Sequence, residues 1–126
     1  PADSRTLEVS ADSGFHSVFA IGDVAVVPLP GRYKPGMPLV LPKAGTIADA
    51  QGQVVAAQIA SQVLGGSAEE FDGVGTCYIE TGGQCAVKGE GHFFALPHPV
   101  MRASPPDRAQ YQGKLAWMAD WVRACL

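Results

Sequence analysis

The chain has 126 residues, 47% hydrophobic and 17% charged, with a formal net charge of −3. This describes about one globular domain, large enough to bury a core, and the acidic balance excludes the basic footprint of a nucleic-acid binder. No apolar run reaches the roughly 18 residues of a membrane-spanning helix, and Pro1-Ala2-Asp3-Ser4-Arg5 lacks the apolar stretch of a secretory signal. In chain order, Thr6–Ser10 alternates and predicts a strand, and Ala11-Asp12-Ser13-Gly14 supplies turn chemistry. Val18-Phe19-Ala20-Ile21 then forms a continuous apolar run, which predicts a central strand buried on both faces as in a parallel sheet.

That run stops at Gly22-Asp23. Glycine lets backbone approach closely, and an aspartate at the carboxyl end of a strand stands where open α/β sheets bind ligands. A plain Gly-Asp turn satisfies the same pattern. Five prolines between positions 28 and 42 predict a loop, because proline lacks the amide donor and restricts the residue before it. From about residue 46 to 64 an alanine-rich helix is predicted, ending at Gly65-Gly66, with Ile47, Ala50, Val54, Ile59 and Val63 roughly on one face. Gly45 and Thr46 open it, so their amides lie at the positive end of the helix dipole. Lys43 stands beside them and adds a charge there, or is a solvated loop lysine.

Beyond Glu70 the period becomes alternating. Val74–Glu80 and Gln84–Lys88 flank Thr81-Gly82-Gly83 as a hairpin, and His92–Leu96 is the expected third antiparallel strand. Pro97, Pro99, Pro105 and Pro106 mark an extended crossing. A last helix follows from Asp107 to Leu126, with Tyr111, Leu115, Met118, Trp121 and Val122 close to one face and Trp117 off its centre. This is an α+β order: strand pair, loop, helix, meander, helix. The three cysteines have no C-x-x-C spacing and make neither a zinc site nor a disulfide framework. His16, His92 and His98 have no mutual metal-ligand spacing and are expected at the surface or in turns, so no metal is expected.

Val18-Phe19-Ala20-Ile21-Gly22-Asp23 resembles the second flavin-binding motif of flavoproteins with two dinucleotide-binding domains, the superfamily of the pyridine nucleotide-disulfide oxidoreductases. Pro42-Lys43-Ala44-Gly45-Thr46, with Ala50-Gln51-Gly52 and Val54-Val55-Ala56, is similar to the branch of sulfide:quinone oxidoreductase and the flavoprotein subunit of flavocytochrome c sulfide dehydrogenase. Gly75-Thr76-Cys77-Tyr78-Ile79-Glu80-Thr81-Gly82 resembles that branch's C-terminal meander, and Pro105-Pro106 through Lys114 and Trp117–Trp121 its closing helix. No G-x-G-x-x-G occurs, and the family's N-terminal flavin segment, pyridine-nucleotide-like domain and upstream redox cysteine have no counterpart.

The resemblance implies the C-terminal segment of an enzyme dependent on flavin adenine dinucleotide (FAD), inactive by itself, with residues 1–66 ending the FAD-binding domain and 67–126 forming the meander and helix. It implies that Gly22 and Asp23 approach the ribityl and pyrophosphate region, that Lys43, Ala44, Gly45 and Thr46 face the pyrimidine edge of the isoalloxazine, and that Cys77 is the downstream redox cysteine. A packing role for Cys77 stands beside this, and Cys85 lies across the hairpin turn from it. The implied partners are the rest of the parent polypeptide and a quinone or cytochrome acceptor, with a homo-oligomer expected. Trp117 and Trp121 suit either a foot at a membrane surface or ordinary packing; the parent would be periplasmic or peripheral to a membrane. The competing expectation is a non-catalytic domain for dimerisation or partner docking, since an uncovered sheet edge and helix faces invite pairing between chains.

Overall fold

A computed structural model describes residues 2–10, 12, 14 and 17–126. Its elements are β1 (Pro28–Lys34), β2 (Met37–Val40), α1 (Gly45–Leu64), β3 (Val74–Gly82), β4 (Cys85–His92), β5 (Val100–Ala103) and α2 (Arg108–Cys125), with a short 3-10 turn at Gly22–Val24 before them. The class is α+β: β1 and β2 form one antiparallel sheet, and β3-β4-β5 a three-stranded antiparallel meander. Ala11, Ser13 and His16, expected in turns, lie outside the described residues.

The first expected strand pair is looser than its sequence implies. Residues 7–9 and 18–20 run antiparallel, with Val9 N–H donating to Val18 C=O at 2.7 Å and Ala20 N–H to Leu7 C=O at 3.0 Å. A single isolated bridge, Glu8 to Phe19, joins them rather than a ladder, and Val18 and Ile21 remain 41% and 37% exposed. The expectation of a strand buried on both faces is therefore corrected. Fewer than ten residues separate the two segments, and a parallel crossover needs a dozen or more.

The proline-rich stretch expected as a loop is a hairpin. β1 and β2 pair with Pro28 opposite Val40, Arg32 opposite Pro38 and Lys34 opposite Met37, with register shifts between these pairs. A two-stranded ribbon consists of edges, where proline is tolerated, and irregular register absorbs the missing donors. Pro35-Gly36 closes the turn, Gly36 taking φ +80 as the third residue of a type II turn requires.

α1 forms over the expected span and ends at Gly65, whose φ of +78 stops it. Only its first half is buried. Ile47 packs with Leu7, Ala25, Val27, Leu41, Phe71 and Phe93 into one core, which Ala50, Val54 and Val55 border, whereas Ile59, Val63 and Leu64 stay exposed. Residues from both halves of the chain therefore share this core.

In the meander Cys77 stands opposite Gly89, Tyr78 opposite Lys88 and Gly82 opposite Cys85. The third strand is β5, paired with β4 through Gly89–Ala103 and His92–Val100, and not His92–Leu96. Successive side chains on a strand point to opposite faces, so Phe93 and Phe94 cannot both reach one core from a ladder. The chain leaves β4 there: Phe93 is buried and Phe94 meets Phe71 edge-on at 5.8 Å. α2 is capped by Asp107, whose carboxylate accepts from Ala109 N–H at 3.1 Å.

Candidate functional site

α1 starts beside β3 because two residues permit the approach. Gly75 has no side chain, and a methyl group there would lie 2.7 Å from Ile47 Cγ1. The Thr46 hydroxyl donates to Thr76 C=O, satisfying an acceptor on a strand that has only β4 as a ladder partner. The start of α1 is held against the middle of β3, the segment that carries Cys77.

There Pro42, Lys43, Ala44, Gly45 and Thr46 line a cavity of about 330 Å3 together with Cys77, Tyr78, Ile79, Lys114 and Trp117. The four residues expected at a cofactor edge and the expected redox cysteine thus share one enclosure. Residue 44 precedes α1 in an extended conformation and, being alanine, caps nothing, and the first turn carries no acidic residue. The amide end of α1 is left to whatever enters the cavity. Half-buried Cys77 has its Sγ above Gly89, where an added Cβ would lie 3.0 Å away; glycine opposite keeps the thiol from being covered.

Gly22 and Asp23 do not line the cavity, but two tethers dock their turn on the neighbouring flank of α1. Gly22, at φ +62, donates its amide to Gln51 Oε1 at 2.8 Å, and Gln51 is 1% exposed. Lys43 Nζ donates to Gly22 C=O at 3.4 Å and to Ala25 C=O. Lys43, an exposed loop residue, thus bridges the Gly-Asp turn and the start of α1. The Asp23 carboxylate is exposed, and among the described residues it has no hydrogen-bond or ion-pair partner.

Several residues take part here for which the sequence implies no role at the site. Gln51, one helical turn beyond Ile47, is buried beneath the Gly-Asp turn. Trp117, off the expected stripe, lies against Gly45, 3.4 Å from where a Cβ would stand. Lys114 pairs with Glu80, bringing a cation to the cavity wall. The face of α2 expected to pack is corrected too: Gly113 lies over the Tyr78 hydroxyl, so α2 turns Gly113, Lys114 and Trp117 inward and leaves Leu115, Met118, Trp121 and Val122 exposed.

Cys77, Cys85 and Cys125 are free thiols. Cys85 pairs with Gly82, five positions along β3 from Cys77, a separation of roughly 16 Å at strand rise; the two cannot bond in this register. His92 and His98 are exposed, His16 lies outside the described residues, and no group of three or more potential metal ligands occurs among the described residues. Among the described residues no helix is long and apolar enough to cross a membrane. No protein-family model matches the chain, and neither a curated protein nor a solved structure does.

Proposed function

We propose that this chain is the C-terminal part of a flavoprotein oxidoreductase of the sulfide:quinone oxidoreductase and flavocytochrome c sulfide dehydrogenase kind, supplying one side of its FAD site. The observation that carries the reading is the shared cavity: Lys43, Ala44, Gly45 and Thr46 on one wall, Cys77 on another. FAD, when bound, supplies two-electron chemistry between sulfide or a related donor and a quinone or cytochrome acceptor.

The chain's own groups fit one edge of such a cofactor. About 330 Å3 is at the small end of ligand pockets, enough for a ring edge and too little for a dinucleotide, so the rest of the site belongs to other parts of the polypeptide. The uncapped amides of Gly45 and Thr46 would hold negative charge at that edge. Lys43 would act at one remove, fixing the turn that aims Asp23 at hydroxyls of the cofactor's chain. Cys77 works as a nucleophile only as thiolate, and the amide end of α1, Lys43 and the Glu80-paired Lys114 are the positive groups lining its cavity.

The test is the visible absorption spectrum of the purified parent polypeptide. Flavin bands that bleach on adding sulfide are expected; a colourless protein whose upstream sequence lacks a G-x-G-x-x-G segment sinks the assignment. The isolated chain is expected to bind FAD no more tightly than micromolar, and submicromolar affinity by titration contradicts the division of the site.

A further inference from the structure

The outer edge of β3 runs into the cavity, and the register of the meander decides which main-chain groups it turns there. Ser104 N–H donates to Lys88 C=O at 2.9 Å, and Ala86 exchanges its two main-chain bonds with Asp107. Facing pairs in an antiparallel ladder alternate between bonded and unbonded. Ala86, Lys88 and Glu90 therefore turn their N–H and C=O groups away from β3, and Gly89 and Gly91 turn theirs toward it. Cys77 stands opposite Gly89, so its main chain bonds to β4; Val74, Thr76, Tyr78 and Glu80, opposite the even-numbered residues, face outward.

Two side-chain contacts agree with this alternation. Val74 N–H donates outward to Asp72 Oδ1 at 2.8 Å, and Thr76 C=O accepts outward from the Thr46 hydroxyl. The next outward residue is Tyr78, which lines the cavity. Among the described residues neither its N–H nor its C=O has a partner.

A bare strand edge invites another strand, but here the edge is taken at Thr76 by the start of α1 and flanked at Glu80 by Lys114. About 330 Å3 between them leaves pairing for a single residue. Its partner must carry an acceptor beside a donor, and the pyrimidine ring of a flavin does, in its carbonyl, N–H, carbonyl run. We propose that the main chain of Tyr78 reads this imide edge, its N–H donating to a ring carbonyl and its C=O accepting from the ring N–H. The inference rests on the flavin reading above and deepens it: the residue next to Cys77 fixes the ring in its own plane relative to the thiol.

The test follows main-chain amides by NMR in the 126-residue chain, titrated with flavin mononucleotide up to about 5 mM, enough to fill a site of millimolar Kd. Phosphate buffer competes for the phosphate group of the ligand. The Tyr78 amide is expected to move downfield and to exchange with solvent more slowly. The analogue methylated at the ring N–H is expected to bind about tenfold more weakly, as loss of a hydrogen bond that leaves its acceptor unsatisfied does. Tyr78→Pro removes the N–H at an outward position, where an edge strand tolerates proline, and should bind about tenfold more weakly than Tyr78→Phe, which keeps it. The methylated ligand gives the same reading without asking any variant to fold. Flavin that moves the amides of Gly45 and Thr46 but not that of Tyr78, or equal affinity for the methylated analogue, overturns the role of Tyr78 and leaves the flavin reading standing. No movement of any cavity amide at the highest concentration overturns that role as well, while the flavin reading itself is decided by the spectrum of the parent polypeptide.

Discussion

Replacing Gly75 by alanine puts a methyl group 2.7 Å from Ile47 Cγ1, 3.1 Å from Ile47 Cδ1 and 3.2 Å from Phe93 Cε2. Carbon atoms rest about 3.5–4.0 Å apart, so Ile47 must retreat by about 1 Å, and both neighbours are buried in the core. Overpacking of this kind costs about 1–3 kcal/mol, against about 0.5–1 kcal/mol recovered by removing a glycine from a strand interior. We expect a net loss of about 1–2 kcal/mol, read as a Tm lowered by about 3–10 °C for a chain of this size. Ile47→Ala alone costs about 2–5 kcal/mol. In the double variant the offending atoms are gone and the added methyl group partly refills the space, so the two changes couple favourably by about 1–3 kcal/mol. Urea unfolding of the four proteins measures the cycle. A Gly75→Ala protein as stable as the parent, or additive losses in the double variant, refutes the close approach of α1 to β3 on which the cavity depends.

Gln51→Leu leaves the Gly22 amide without its acceptor; a loss of about 1–2 kcal/mol is expected, in the lower part of the range for an unsatisfied group because Gly22 is only partly buried, together with faster hydrogen exchange at Gly22. Unchanged exchange there means that Gln51 does not hold the turn. Ala44→Asp, at a residue already in the extended conformation of a cap, should stabilise α1 by about 0.5–2 kcal/mol while weakening flavin retention in the parent polypeptide; retention equal to the unsubstituted protein's counts against the amide end as a cofactor contact. Asp3 accepts from the backbone amides of Thr6 at 2.7 Å and Arg5 at 2.8 Å, which lower its pKa. A depressed folded pKa contributes stability above the unfolded value, lost as pH falls through the folded one. Asp3→Asn should therefore lower stability at neutral pH, with the difference closing below the ordinary aspartate range; a constant difference across acid titration contradicts that origin.

Much of the fold is legible in the sequence where one signal dominates. Alanine content and Gly65-Gly66 define α1, and the hairpin between β3 and β4 follows from alternation around Gly82-Gly83. The misjudged elements are those where two rules compete. Proline density argues for a loop, yet in a ribbon made only of edges the missing donors at Pro28, Pro30 and Pro38 are tolerable. Alternation argues for a strand through Phe94, yet two adjacent aromatics drawn to one core pull the chain out of the ladder. On α2 the most apolar stripe is not the inward one, because Gly113 allows the closest approach and Lys114 finds Glu80. That Lys43–Thr46 and Cys77 meet in one cavity follows from Gly75 facing Ile47, a long-range contact that no local pattern announces, and the same holds for Gln51 beneath Gly22.

The backbone of Asp107 exchanges two hydrogen bonds with Ala86, each 3.0 Å, before α2 begins, while the far end of that helix reaches α1 through Trp121 and Asp49. α2 is thus pinned at its root by two bonds, tied midway by Lys114 on Glu80, and latched near its tip by the indole. The middle tie stands in the cavity wall beside Cys77, whereas the tip latch does not. Trp121→Phe loosens the helix from its far end, and it should quicken alkylation of Cys77 less than Lys114→Met, which cuts the tie at the wall itself.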